Sequence, residues 1–521
     1  MGRYNLAATQ RTPQTERTRS DQVENNAGGF VFETDPWAQL DRFLILGAKG
    51  GTYYVGASQH LTDNLDRLKA VIALDGKRAV ERIAQISEEN RAVNNEAALV
   101  ALAVATADPT KETRKLAWEA LPRVARIGTH LFHFVDYRNS LAGWGRLATR
   151  GVSAWYEKRS PAELALQMLK YQQRDGWSHR DVLRVAHPRA VTDHHAAMYD
   201  AACGRTPDKP LPPLYDAVRL AAEGEIEEAI ARGATREMLP TEAMGKARTW
   251  ELLFRKGLPA TAFLRNLANL TRLGVLSDHE LLTEACDRLE DPQFPAKGRI
   301  HPYQALVALK AYQSGGRAAR SQKTFTPLTP VVGALERLLA NSWSAVKPTG
   351  KRFLIGLDVS GSMWGTGGKL ENGLILPGEA GAAVLLAIAK AERFCQVMAF
   401  SRTFQKLDIT RESSFSDALA RTRGLKFSTT DCALPVLYAT RNKLVVDVFL
   451  TITDNETYAG SVHPYQALQD YRKEFNPNAR MIVLGMTATR FTIADPKDPL
   501  SLDIAGMDAS VPKIITEFAS S

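Results

Sequence analysis

The strongest constraint on this chain is a change of hydrophobic period close to "VKPTGKR" (Val346–Arg352). Before it, apolar residues recur at helical spacing. "EAALVALAVATA" (Glu96–Ala107), "TRKLAWEALPRVARI" (Thr113–Ile127) and "PAELALQMLKYQQR" (Pro161–Arg174) carry the pattern, and "LYDAVRLAAEGEIEEAIARG" continues it. After it come short apolar runs rich in Val, Ile, Leu and Phe: "RFLIGLDVS", "FCQVMAF", "LVVDVFLTITD" and "ARMIVLGM". A helical stripe and a strand buried on both faces need different partners, so the two patterns predict two domains. At 521 residues the chain is also too long for one ordinary core. We divide it into a polar N-terminal arm (1–21), an all-α region of stacked helix pairs (22–345) and an α/β doubly wound domain (346–521). The stretch Gly315–Pro330 reads as a mobile basic loop within the second of these.

Charge is distributed unevenly. The net charge is +9, and the segment from Thr349 onward contributes only about +1. The basic excess sits in the helical region and points to a polyanionic partner, with nucleic acid first. The four cysteines (Cys203, Cys286, Cys395, Cys432) form no CxxC and no zinc spacing, which fits reduced thiols in a cytoplasmic protein. The N-terminus lacks the apolar core of a signal peptide, and "GAAVLLAIA" (Gly381–Ala389) is too short to span a bilayer, so no membrane association is expected.

The α/β half carries a motif at a telling place. "RFLIGL" ends in "DVSGSMW" (Asp358–Trp364), and doubly wound folds bind ligands at the carboxyl ends of their strands. Asp358, Ser360 and Ser362 alternate, so an extended turn converges one carboxylate and two hydroxyls, all hard oxygen donors. "STTDCALP" adds Thr430 and Asp431, and "TITDNET" adds Asp454 after a strongly apolar run. A capping turn explains any one of these loops. Three at successive strand ends point to a divalent cation, Mg²⁺ first, with Ca²⁺ or Mn²⁺ as substitutes. A P-loop reading of "GSMWGTGGKL" fails because Met363 and Leu370 stand at required positions. "VSGSM" looks close to a nucleophile elbow but lacks the G-x-S-x-G pattern.

In the helical half, "SPAE" (Ser160–Glu163) is a capping box with proline at N1. The helix it starts is predicted to run to Arg174 and to be closed by Gly176, with Leu164, Met168 and Tyr171 on one face. Gln167, Lys170 and Arg174 would share another, placing Lys170 and Arg174 one turn apart. Ser178 opens a second helix with Asp181 at N3. Val182, Leu183 and Ala186 face inward there, while Arg180, Arg184 and His187 face out. Two adjacent polar, basic stripes suit phosphate and sugar contacts. Arg126, His130, Arg138, Arg146 and Arg150 are further candidates. His130 and His133 lack a third metal ligand and read as structural.

These words resemble a known family. "DVSGSM", "TTDCALP" and "TDNET" resemble the metal-ion-dependent adhesion site of von Willebrand factor A domains. "GGTYY" (Gly50–Tyr54), "RIGTHLFHF" (Arg126–Phe134), "GWGR" (Gly143–Arg146), "KYQQRDGWSHRDVLRVAH" (Lys170–His187), "LRNLANLT" (Leu264–Thr271), "RIHPY", "PTGKRFL" and "TDNETYAGSVHP" resemble the Ro autoantigen, or TROVE-domain, family. The resemblance implies a ring of HEAT-like helices closed by an A domain. It implies a noncatalytic RNA-binding protein that holds small Y-like RNAs on its outer surface and single-stranded ends of misfolded noncoding RNAs in its hole. It also implies work in RNA processing or decay with an exoribonuclease such as polynucleotide phosphorylase, by a monomer. Thr429 stands where the family has a glycine before the site threonine, which makes that loop less permissive. The competing expectation is a metal-dependent protein-interaction module on a helical scaffold.

Overall fold

The computed structural model of the chain describes residues 11–47, 57–92, 94–316, 324–343, 348–365, 375–423, 425 and 429–521. The word at Gly50–Tyr54 and residues 317–323 of the basic loop lie outside the described residues.

The N-terminal half is mainly helical, as its period requires. Helix Gly76–Glu88 is typical: Asp75 caps it by accepting from the Arg78 amide, and Ala79, Val80, Ile83, Ala84 and Ile86 form its buried stripe. Ser160 and Glu163 make the expected capping box at the start of helix Pro161–Lys170. Two elements depart from an all-α reading. Strands β1 (Gln22–Glu24) and β2 (Phe30–Glu33) pair antiparallel near the N-terminus. The helix expected over Pro161–Arg174 stops at Lys170, and β3 (Gln173–Arg174) pairs with β4 (Trp177–Ser178) across Asp175 and Gly176. Both turn residues have positive φ, 51° and 78°, the backbone of a two-residue hairpin turn for which Asp-Gly is the favoured sequence. The turn chemistry overrides helical propensity, so Gly176 does not close a helix and Lys170 and Arg174 do not share one.

The helical region closes on itself. Asn90 Nδ2 donates to the Arg299 carbonyl at 3.1 Å, and the Arg299 guanidinium donates to the Glu88 carbonyl. His301 Nε2 lies 3.0 Å from the Arg91 carbonyl while its Nδ1 accepts from the Tyr303 amide at 3.0 Å, which makes it the neutral Nε2–H tautomer. Residues about two hundred positions apart thus meet, and Arg91 reaches on to Asp508 of the C-terminal domain at 3.2 Å.

That domain is built on a six-stranded sheet of β5 (Arg352–Asp358), β6 (Phe394–Phe400), β7 (Phe404–Lys406), β8 (Val448–Thr453), β9 (Arg480–Gly485) and β11 (Ser501–Ala505). The spatial order is β11-β9-β8-β5-β6-β7, parallel except for the edge strand β7. Every residue of β5 after Arg352 is buried, because helices cover both faces. Gly356 permits this: a Cβ there would lie 2.8 Å from Pro435 Cγ. The remaining strand, β10 (Phe491–Thr492), pairs with β2, so residues 11–34 belong physically to this domain. Among the described residues no helix is long and apolar enough to cross a membrane.

Burial pushes the His301 imidazole down to about 4. A depressed folded value means the unfolded chain takes the proton first. The neutral ring therefore stabilises the closed fold fully above about 6.5 and loses that contribution as pH falls towards 4, by about 1.4 kcal/mol per pH unit at most. The thermal midpoint of His301→Gln should therefore trail the wild type most at pH 7.5. The gap should narrow at pH 5.5 and nearly vanish at pH 4.5 in scanning fluorimetry, whereas a constant gap would show that the ring takes up its proton equally in the folded and unfolded chain.

Candidate metal centre and nucleic-acid interface

Strand order puts one place in the C-terminal domain apart. From β5 the chain moves outward to β6 on one side and, later, to β8, β9 and β11 on the other. The carboxyl ends of β5 and β8 therefore flank the switch point where such folds open a crevice. Asp358 is the last residue of β5 and Asp454 follows the last residue of β8.

Asp358 is fully buried. Its Oδ1 accepts from the Ser360 amide at 2.8 Å and its Oδ2 from Thr453 Oγ1 at 2.6 Å. Ser360 and Ser362 hydroxyls lie 3.0 Å apart, and Ser362 also hydrogen-bonds Asp454. Asp454 in turn accepts from the Glu456 amide at 3.2 Å. Trp364 Nε1 donates to the Asp358 carbonyl at 3.1 Å, which fixes the turn behind the site. The third loop is brought in through its backbone: the Thr430 carbonyl accepts from the amides of Tyr458 and Ala459 at 3.1 and 3.0 Å. Asp358, Ser360, Ser362, Thr430 and Asp454 are all nearly or fully buried.

The electrostatics of this cluster are unbalanced. Burial, then the neighbouring Asp454, pushes the Asp358 carboxyl up to about 7. Burial raises Asp454, and burial with Asp454 raises Glu456 to about 8. Neither Asp358 nor Asp454 has an ion-pair partner among the described residues. Two buried carboxylates with interleaved hydroxyls and no cation are a donor set that a small divalent ion would complete. Among the described residues no three His, Cys, Asp or Glu side chains gather as a metal set, so any cation here depends on hydroxyl oxygens. Asp358, Asp454 and the hydroxyls of Ser360 and Ser362 form a set that would suit Mg²⁺ and are the ones that would hold it, while the Thr430 turn is joined to them through its backbone.

The helical candidates separate into two groups. Arg174, Arg180, Arg184 and His187 are exposed, as are Arg146 and Arg150, and Lys170 is half-buried beside the Tyr171 ring. Ser178 and Asp181 form the expected capping box of helix His179–Ala186, whose Val182, Leu183 and Ala186 are buried. His187 ends it in the left-handed conformation, at φ 47°. The other group is turned inward. Arg138, expected at the surface, is buried. Its guanidinium donates to the Ala142 carbonyl at its own helix end, and burial lowers its pKa. His130 lies 3.2 Å from Asn95 Nδ2, and burial pushes it down to about 3, so it is a neutral packing residue. Arg126 binds the Ser87 carbonyl at 2.7 Å. His133 pairs with Asp175 of the hairpin turn. Gln167 is not free for a partner, because its Oε1 accepts from the Gly128 amide.

Sequence reasoning missed four residues near these sites. Trp144 and Trp177 are half-buried indoles with centroids 6.4 Å apart and planes at 51°, close in chain to Arg146 and Arg174. "GWGR" and "DGWS" contain the signal. Exposed Arg265 acts electrostatically on Tyr171, joining "LRNLANLT" to this face. Gln14 lies in the arm read as merely polar and is buried against the Thr430 loop.

A closed helical array joined to an A domain whose switch point carries paired carboxylates and hydroxyls defines a two-domain scaffold of the von Willebrand type. Residues 352–519 match the Ro60 von Willebrand factor A domain, and residues 23–219 and 219–347 match the TROVE domain. The chain belongs to the Ro60, or TROVE-domain, family. It is 39% identical to RNA-binding protein RO60 of Deinococcus radiodurans over 97% of each chain. It is 32% identical to RNA-binding protein RO60 of Caenorhabditis elegans, covering 97% of this chain and 91% of that one. The crystal structure of the Deinococcus radiodurans RO (RSR) protein matches with a TM-score of 0.70 at 37% identity, over 93% of this chain and 99% of that one.

Asp358 is held above its ordinary range, so the metal-free fold loses stability as pH rises through the interval from about 4 to about 7. Asp358→Asn removes one of the two buried charges. In chelator at pH 8 its thermal midpoint should exceed that of the wild type, and at pH 4.5 the two should converge. A lower midpoint for Asp358→Asn at pH 8 would show that the pair is not a site of repulsion.

Proposed function

We propose that this chain is a noncatalytic RNA-binding protein whose helical domain carries the RNA and whose A domain carries a metal-centred docking site. The reading rests on one observation above others: Arg174, Arg180, Arg184 and His187 are exposed together on a hairpin and the helix it feeds, in a family whose relatives are named as RNA-binding. Arg180 and Arg184 are one helical turn apart and both exposed, so they take the paired phosphate role that Lys170 and Arg174 lose when their helix ends early. Lys170, Arg146 and Arg265 widen the positive field. Trp144 and Trp177 offer flat faces to unpaired bases. Structured, Y-like small RNA is the ligand proposed for this outer face, and single-stranded ends of misfolded noncoding RNA are the ligand proposed for the interior of the closed helical array.

The A domain contributes differently. Mg²⁺, with Ca²⁺ or Mn²⁺ able to substitute, would neutralise Asp358 and Asp454 and keep an exchangeable water. A partner's Asp or Glu side chain can replace that water, which makes the site a place for protein docking; an exoribonuclease such as polynucleotide phosphorylase is the proposed partner. The chain would act in RNA quality control, processing or decay as a cytoplasmic monomer.

Filter binding of a Y-like RNA over a salt series tests the assignment. Each lost phosphate contact should flatten the log–log salt slope by about 0.7 to 0.9. Arg180→Ala combined with Arg184→Ala should therefore weaken binding and reduce the slope by somewhat under two, with folding changed by less than about 1 kcal/mol. His187→Asn keeps a left-handed helix end and should weaken affinity with little change of slope at neutral pH. Asp358→Ala should leave RNA affinity nearly intact. Unchanged affinity and slope in the arginine double variant would refute this surface.

A further inference from the structure

Gln14 has the densest set of hydrogen bonds around the metal-site loops, although more than 400 residues separate it from them. It is fully buried and every polar group it owns is engaged. Its Nε2 donates to Asp431 Oδ1 at 2.8 Å and to the Val462 carbonyl at 2.9 Å. Its Oε1 accepts from Thr457 Oγ1 at 2.5 Å and from the Gly460 amide at 3.3 Å. Its own amide donates to the Gly460 carbonyl at 2.9 Å, and its carbonyl accepts from the Phe30 amide of β2 at 2.8 Å.

These bonds join two loops that the sheet does not pair. Asp431 Oδ1 also accepts from the Ala433 amide at 3.0 Å, and Thr457 Oγ1 accepts from the Cys432 amide at 3.0 Å. Gln14 thus closes a circuit from the Thr430–Cys432 turn to residues 457–462, the stretch that follows Asp454. The approach is close: a Cβ on Gly460 would lie 2.3 Å from Gln14 Nε2 and 2.4 Å from Asp431 Oδ1. A leucine or methionine at position 14 would fill the space but could neither donate to Asp431 nor accept from Thr457. The same segment holds the far side of the loop, because Asn25 Nδ2 donates to the Thr457 carbonyl at 2.8 Å and Asn26 Nδ2 to Glu456 at 2.6 Å.

We propose that Gln14 is a positioning residue of the metal centre, clamping the Thr430 loop to the loop that carries Asp454, so that the site is built jointly by the N-terminal segment and the A domain. The proposal rests on the metal reading above. It predicts that metal affinity depends on a residue outside the A-domain sequence. Because Gln14 holds Asp431 and Thr457, the neighbours of ligands rather than a ligand itself, the effect should fall toward the lower end of the range of about 10- to 100-fold seen for direct partners of metal ligands.

The test uses the full chain and Mn²⁺ alone as probe, with free Mn²⁺ counted by electron paramagnetic resonance. Gln14→Met keeps the volume and removes every side-chain hydrogen bond. Gly460→Ala opens the same clamp from the other side. Gln22→Met is the control: Gln22 is equally buried in the N-terminal segment, but its partners are Thr18, Arg19 and His463. Gln14→Met and Gly460→Ala should each weaken Mn²⁺ binding about tenfold or more, and Gln22→Met should stay within about twofold of wild type, all with wild-type circular dichroism. Wild-type affinity in Gln14→Met, or an equal loss in Gln22→Met, would overturn the positioning role while leaving the metal reading in place. Failure of the wild-type chain to take up millimolar Mn²⁺ would remove the metal reading and this inference with it.

Discussion

A linear stack of helix pairs has two ends, and each exposes apolar surface that must be covered. In this protein one domain covers both. At the N-terminal end, β2 adds to β10, and the buried Arg42 guanidinium reaches both carboxylate oxygens of Asp503 at 2.6 and 2.7 Å. At the other end, helix Pro302–Gln313 sends Lys310 to Glu379, a buried carboxylate that also accepts from Arg423 Nη2 at 2.7 Å. The apolar core of the later helices, through Leu335 and Leu338, continues without a break into Ile355, Leu357 and Val384 of the A domain. Breaking either attachment exposes a helical end and takes an ionic partner from a charged group in the joint, the carboxylate partner of the buried Arg42 in one case and one of two cationic partners of the buried Glu379 in the other. Closure of the helices through Arg299 and His301 then follows from the two ends being held.

The paired carboxylates at the switch point run against stability. Asp358 and Asp454 are buried and near one another, without cationic partners among the described residues, in a domain otherwise packed with Val, Leu, Ile and Phe. Such a pair persists only because hydroxyls, backbone amides and the surrounding loops fix it in place, and strain of this kind collects at functional sites. The helical domain shows the opposite economy. Its exposed Arg174, Arg180 and Arg184 stand in water at little cost, while Arg138, which resembles them in sequence, is buried and His130 is half-buried and held neutral.

Much of this was legible beforehand. The switch from helical period to short apolar runs located both domains. Alternation in "DVSGS" and the apolar run before Asp454 placed these two loops at the carboxyl ends of β5 and β8, whereas Thr430, expected at a strand end, lies between helices Phe415–Arg423 and Leu434–Arg441 and reaches the same side of the sheet only through tertiary packing. The capping boxes at Ser160 and Ser178 fixed two helix starts to the residue. The helix through Arg174 was a misreading: a basic stripe at helical spacing concealed an Asp-Gly hairpin, whose turn needs two residues of positive φ and is set by local chemistry. Arg138 failed for another reason, since a helical stripe tells which residues share a face but not which neighbour that face meets.

The sequence by itself determined what acts within a few residues: periodicity, caps, turn geometry and the donor types offered at each strand end. Tertiary structure alone decided what arises between distant segments. It made Gln14 part of the A domain, brought Arg299 and His301 to the end of the helix that stops at Glu88, and set Asp454 close enough to push the Asp358 carboxyl up. Local propensity acts through bonds and neighbours along the chain. Burial and charge coupling depend on which surfaces meet, and that is fixed only when the whole chain has packed.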